Sequence, residues 1–95
     1  MDTRRVVKYE LDTVEQQIIE MSAECDLLTI QEQQGKLVLW VLAWDDADIE
    51  ERVFYVVRTG DTVPEVEGWS TLAYCATVQG KRDREWHVFT TIDFW

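Results

Sequence analysis

The densest run of chemistry-bearing side chains is Asp45-Asp46-Ala47-Asp48-Ile49-Glu50-Glu51. Clustered carboxylates can hold a hard cation through oxygen ligands, or project a negative field. The spacing argues against a calcium loop of the EF-hand kind. Such a loop needs oxygen ligands at alternating positions, Gly at the sixth and Glu at the twelfth, between two helices. Counted from Asp46, the sixth position is Glu51, and the flanking segments read as strands. The lone histidine, His87, has neither a nucleophile to serve nor a ligand set beside it. Cys25 and Cys75 lie far apart with no Cys-x-x-Cys pair, which is not the spacing of a structural zinc site. Gly35, Gly60, Gly68 and Gly80 each stand alone, so no Gly-rich phosphate loop is present. No catalytic residue, metal ligand or cofactor is expected. For the acidic run three readings remain: a solvated break that keeps strand edges soluble, a weak irregular divalent-cation site, and a field that meets a basic partner.

The elements that must position these residues repeat with a period of two. Arg5, Val7, Tyr9 and Leu11 share one face of a first strand, and Val6 suggests partial cover on the other. Thr13 to Met21 reads as a strand with Ile18 and Ile19 on opposite sides. The alternative is a short helix near 13–24, with Val14, Ile18 and Met21 on one stripe and Thr13 capping against Gln16, which would make the fold α+β. Over Cys25 to Gln33, Leu28 and Ile30 alternate with Thr29 and Gln31, and Gln34-Gly35 is a hairpin turn. Lys36 to Trp44 is apolar on both faces, the pattern of a central strand covered on both sides. Trp40 and Trp44 share one of those faces and are expected in the core, against Tyr9, Phe54 or Trp86. Asp45 to Glu51 is a polar break, and Arg52 to Thr59 is strand again, ended by Gly60-Asp61. Pro64 and Gly68 bracket an acidic loop that carries Glu65 and Glu67. Trp69 to Gln79 follows, with Leu72, Tyr74, Ala76 and Val78 on one face. After a turn at Gly80 to Asp83, Glu85 to Ile92 puts Glu85, His87 and Phe89 on one face and Trp86 and Val88 on the other. The expectation is a single all-β domain over 1–95, a small antiparallel sandwich or open barrel of about seven strands.

Charge narrows the partners. The 95 residues hold 9 Lys+Arg and 19 Asp+Glu, a formal net charge of -10. Such a balance disfavours direct nucleic-acid binding, which rests on basic residues meeting phosphates, and disfavours an anionic membrane surface. The longest apolar run, Leu37 to Trp44, is strand-sized, well short of the roughly 18–20 residues of a membrane span. Met1-Asp2-Thr3-Arg4-Arg5 leads only into Val6-Val7, which is no signal-peptide core, so a cytosolic chain with both cysteines reduced is expected. The acids are unevenly spread. From Tyr9 to Gly35 there are seven and no base; from Leu37 to Glu51 there are five more and again no base. Bases gather at Arg4-Arg5-Lys8 and at Lys81-Arg82-Arg84.

Several short runs carry a resemblance: Lys8-Tyr9-Glu10-Leu11, Gln34-Gly35-Lys36-Leu37-Val38-Leu39-Trp40-Val41-Leu42, Glu51-Arg52-Val53-Phe54 leading to Val57-Arg58-Thr59-Gly60-Asp61, and Trp86-His87-Val88-Phe89. In this order they resemble a family of small bacteriophage proteins of unknown function. That family tends to have His where this chain has Asp61, and Pro and Gly in the segment matching Ser22-Ala23-Glu24. The resemblance implies a phage origin and the host bacterial cytoplasm, and brings no activity with it. An acidic phage protein without catalytic apparatus fits a binder that inhibits a host nucleic-acid-handling defence complex, as DNA mimics and many anti-CRISPR proteins do. Its partner would be the basic groove of a host protein or nucleoprotein complex. The expected contact residues are Asp45, Asp46, Asp48, Glu50, Glu51, Glu65 and Glu67, with Trp69 and Trp95 as half-exposed anchors beside turn and terminus. The alternative is a phage structural or accessory β-domain that acts by self-assembly, including as a homodimer.

Overall fold

Strand pairing decides which alternation survives. The computed structural model describes residues 3–65 and 70–93, and among these it contains seven strands and no helix. They are β1 (Arg4–Leu11), β2 (Gln16–Ser22), β3 (Cys25–Gln33), β4 (Lys36–Trp44), β5 (Ile49–Arg58), β6 (Ser70–Gln79) and β7 (Glu85–Asp93). Two antiparallel sheets form, ordered β1-β4-β3 and β2-β5-β7-β6. They pack together in a body 15 Å through its thinnest axis, as two sheets about 10 Å apart require. This is a sandwich and not a closed barrel.

The registers place the core. Tyr9 and Ile30 flank Leu39, Val7 flanks Val41, and Leu11 flanks Leu37. From the other sheet come Phe54, Val56, Val78, Trp86 and Val88. Among the described residues, Leu11, Leu37, Leu39, Val41 and Val88 are the largest side chains wholly removed from water. Full burial of each contributes roughly 1.5–3 kcal/mol.

The helix alternative over 13–24 is overturned. β2 pairs with β5 through Ile18↔Val53 and Ile19↔Arg52. Period two then buries Met21 and turns Ile18 to solvent, at 2% and 55% exposure. A helix would have put both on one stripe, so the pairing with β5 outweighs the local preference. The Gln17 side chain also ties back to the Asp12 backbone, accepting from its N–H at 2.9 Å and donating to its carbonyl at 2.7 Å.

Four other expectations are corrected. Val6 is 59% exposed, so no layer covers it. A bulge at Leu28 breaks the β3 alternation, which leaves Leu28 exposed and Ile30 buried. A second bulge at Cys75 in β6 sends Tyr74 outward, while Ala76 and Val78 face the core. Each bulge inserts one residue and so reverses the faces beyond it. The fourth concerns β4, which is central in its sheet but is not covered by a second layer on its outer face. Trp40 and Trp44 share that outer face, opposite Lys8 and Arg4 on β1, whereas Tyr9, Phe54 and Trp86 lie inside. They are therefore not core residues: Trp40 is half-buried, and Trp44 is 36% exposed with the Arg4 guanidinium 5.0 Å from its ring.

Candidate functional site: an acidic end

Two turns that are separate in sequence meet at one end of the sandwich. The β2–β3 turn is closed by Ser22, whose buried hydroxyl donates to the Glu24 carbonyl at 3.0 Å. The Ala23 N–H donates to the Asp48 carbonyl at 2.7 Å, and the Trp44 N–H to the Glu24 carbonyl at 3.3 Å. These bonds bring Glu20, Glu24 and Asp26 beside Asp45, Asp46, Asp48, Glu50 and Glu51. Among the described residues the basic side chains at that end are Arg4, Arg5 and Arg52, so carboxylates outnumber them clearly. The sequence places the two acidic runs apart, because the hydrogen bonds that join them extend the β2–β5 and β3–β4 ladders, which pair segments distant in the chain.

The five residues of the acidic run are not equivalent. Asp45, Asp46 and Asp48 lie in the β4–β5 turn, but β5 begins at Ile49, so Glu50 and Glu51 are strand residues rather than part of a solvated break. They point to opposite faces. Arg5 grips Asp45 with two hydrogen bonds, Nε to Oδ1 at 2.6 Å and a terminal nitrogen to Oδ2 at 2.8 Å. That grip holds the Asp45 carboxyl below its usual range and raises Arg5. Glu50 accepts from Arg52 at 2.8 Å. Asp46, Asp48 and Glu51 are exposed and make no ion pair among the described residues. Glu51 stands directly opposite Glu20 across β5 and β2. Like charges so placed are destabilising, and the fold carries this pair at the edge of the acidic end. Glu65 is exposed on the connection from β5 to β6. Glu67, Trp69 and Trp95 lie outside the described residues.

A second constellation sits on the outer face of the β2-β5-β7-β6 sheet. His87 Nε2 lies 2.7 Å from Thr59 Oγ1, which donates to Glu85 Oε1 at 3.1 Å. His87 Nδ1 lies 2.9 Å from Thr77 Oγ1, which lies 2.7 Å from the Tyr74 hydroxyl. Thr59 has one proton and gives it to Glu85, so it must accept from His87. That assigns the neutral ring its proton on Nε2. Every bond then points one way, from Tyr74 through Thr77, His87 and Thr59 to Glu85. The chain orients Tyr74, which is 62% exposed and meets Phe89 edge-on at 5.9 Å. Because Thr59 donates to Glu85, His87 does not activate its oxygen as a nucleophile. Sequence alternation put His87 on the correct face but could not show the two threonines, which come from β5's end and β6.

Burial pushes the Cys25 and Cys75 thiols up, and nearby Arg52 only partly offsets this, so neither is poised as a thiolate. Both are unpaired. Among the described residues no group of three or more His, Cys, Asp or Glu side chains is arranged to hold a metal ion. Nor is any helix there long and apolar enough to cross a membrane.

Seven antiparallel strands in two packed sheets among the described residues, with an acidic end, define the class of this molecule. The chain belongs to the family described as Domain of unknown function (DUF7352), whose model matches residues 2–94. No curated protein and no solved structure matches it.

Proposed function

We propose that this chain is a non-enzymatic phage protein that works in the host bacterial cytoplasm. It occupies the basic groove of a nucleic-acid-handling defence complex in place of nucleic acid, as DNA mimics and anti-CRISPR proteins do. The observation that carries the reading is the convergence of the two acidic turns at one end, with Asp46, Asp48, Glu20 and Glu51 exposed and without ion pairs among the described residues. A concentrated negative field of this kind speeds encounter with a basic groove and sets specificity more than raw affinity. Asp45 and Glu50 serve it less, because their charge is already engaged by Arg5 and Arg52.

The test is capture from bacterial lysate on the immobilised protein, followed by competition. A nucleic-acid-binding effector should be retained, released by duplex DNA, and lost as salt rises. A variant carrying Glu20→Gln, Asp46→Asn, Asp48→Asn and Glu51→Gln should associate more slowly with that effector. Retention that is indifferent to DNA and to these four changes would overturn the reading.

One observation favours the assembly alternative. The outer face of the β1-β4-β3 sheet leaves Val6, Leu28 and Trp44 exposed around half-buried Trp40 and Leu42. Recovery of phage particle components, or a dimer broken by Trp44→Ser, would support that reading instead.

A further inference from the structure

The opposite end of the sandwich holds an exception to the charge pattern. Arg5, Arg52 and Lys36 are engaged by carboxylates, and Arg4 and Arg58 lie over the rings of Trp44 and Trp86. Lys8, Lys81, Arg82 and Arg84 make neither kind of contact among the described residues, and of these the last three are neighbours. In a chain with more than twice as many acids as bases, three neighbouring cations have been left without internal partners. All three line one cleft of about 270 Å³, together with Thr13, Gly35, Glu32 and Trp86.

The turn that presents them is held in an unfavourable backbone. Gly80 N–H donates to the Arg84 carbonyl at 2.7 Å and Arg84 N–H to the Lys81 carbonyl at 3.3 Å. The two residues between, Arg82 and Asp83, have φ of 59° and 60°. Left-handed conformation at both central positions is the geometry that Asn-Gly adopts most readily. Arg82 is retained there against that preference, and residues held in sparsely populated conformations cluster at ligand clamps. Glu32 reaches across from β3 to Gly80, so closely that a Cβ on residue 80 would collide with its carboxylate. It forms the back wall. Among the lining residues three cations stand against this one carboxylate, an excess of two positive charges, while Asp83 of the same turn lines a neighbouring hollow with Arg84 and Glu85.

We infer that this cleft binds a phosphate monoester. The dianion matches the excess of two positive charges, Arg82 and Arg84 offer forks that suit phosphate oxygens, and Lys81 adds a point charge. The net charge of -10 on the whole chain repels long polyanions, so the ligand is a small phosphorylated molecule such as a nucleoside monophosphate. A 5′-phosphorylated strand end carries the same group and is separated from it by the test. The site lies at the end opposite the acidic turns and does not rest on the function proposed for them.

The experiment is an amide NMR titration of the full chain with inorganic phosphate, a nucleoside 5′-monophosphate, the bare nucleoside and a 5′-phosphorylated oligonucleotide, with chloride holding ionic strength constant. Saturable shifts at Gly35, Gly80 and Arg82 to Arg84 are expected with phosphate and the monophosphate, and none with the nucleoside. Lys81→Gln with Arg84→Gln should weaken the monophosphate about tenfold or more, as loss of charged hydrogen bonds does. The pair Arg82→Asn and Asp83→Gly should raise the thermal midpoint while weakening phosphate binding, a combination that a purely structural turn would not give. Shifts that chloride reproduces, no saturation at millimolar phosphate, or variants that bind like the parent would overturn the site. Tighter binding of the strand end than of the monophosphate would overturn the small-ligand assignment.

Discussion

Asp45 and Arg5 form the shortest ion pair among the described residues, and it ties two distant segments together. Arg5 hydrogen-bonds the Asp45 carboxylate at two points, and the Asp45 N–H donates to the Thr3 carbonyl at 2.8 Å. The pair thus pins the start of β1 to the β4–β5 turn. The folded protein holds Asp45 below its usual range, chiefly through the hydrogen bond from Arg5. The unfolded chain therefore binds a proton at higher pH than the folded one does. Stability from the pair is fully present above the unfolded pKa and is lost as pH falls through the depressed folded value. Because both groups lie at the surface, the effect is small. Comparing thermal midpoints of the parent and Asp45→Asn should show a constant parental advantage near neutrality. That advantage should fade in acid, below the ordinary carboxylate range. A gap that persists unchanged to about pH 3, below the unperturbed Asp value, would mean that the pair does not stabilise the fold by its charge.

At the scale of elements, β4 has two faces that the sequence cannot tell apart. Leu37, Leu39, Val41 and Ala43 point inward and are buried, whereas Val38, Trp40, Leu42 and Trp44 point outward, and of these four only Val38 is buried. Leu39→Ala should cost roughly 2–5 kcal/mol in a denaturant titration, since it opens a cavity between the sheets. Trp44→Gln should cost less, about 0.5–1 kcal/mol, chiefly for the lost contact between the Arg4 guanidinium and the ring. Equal costs would mean that β4 is sandwiched on both sides after all. The bounds of β3 and β4 were legible in sequence because Gln34-Gly35, with φ of 52° and 83°, is a turn of the primed kind that local residue types announce. The faces of His87 and Trp86 were legible because β7 alternates without interruption. Leu28 and Tyr74 were not, since a bulge is set by the partner strand's register and leaves no mark on the residues themselves. The start of β5 was missed for a related reason. Glu50 and Glu51 are poor strand formers, held in the ladder by pairing with Met21 and Glu20.

On the scale of the whole molecule, the net charge of -10 should destabilise the compact state through self-repulsion, and the fold distributes that cost unevenly. Its longest axis is 46 Å. Screening acts over roughly 30 Å at 0.01 M salt and about 10 Å at 0.1 M. In dilute buffer the carboxylates of the acidic end therefore repel one another across the whole of that end, and added salt should raise the urea midpoint. The acids divide into two sets that respond in opposite directions. Glu20, Asp46, Asp48 and Glu51 make no ion pair among the described residues, and Glu20 opposes Glu51 directly. Neutralising these four as Gln or Asn should stabilise the protein at low salt, by about 0.2–1 kcal/mol for the cross-strand pair alone. The gain should shrink as salt rises. Neutralising Asp45 and Glu50 removes partners of Arg5 and Arg52, so the same change of charge should bring no gain and a small loss. If both sets shift the midpoint in the same direction by the same amount, only total charge matters, and the division between engaged and free carboxylates has no energetic meaning. If only the first set stabilises, the molecule keeps those charges at a cost to its own folding, which is what a surface shaped for a basic partner requires.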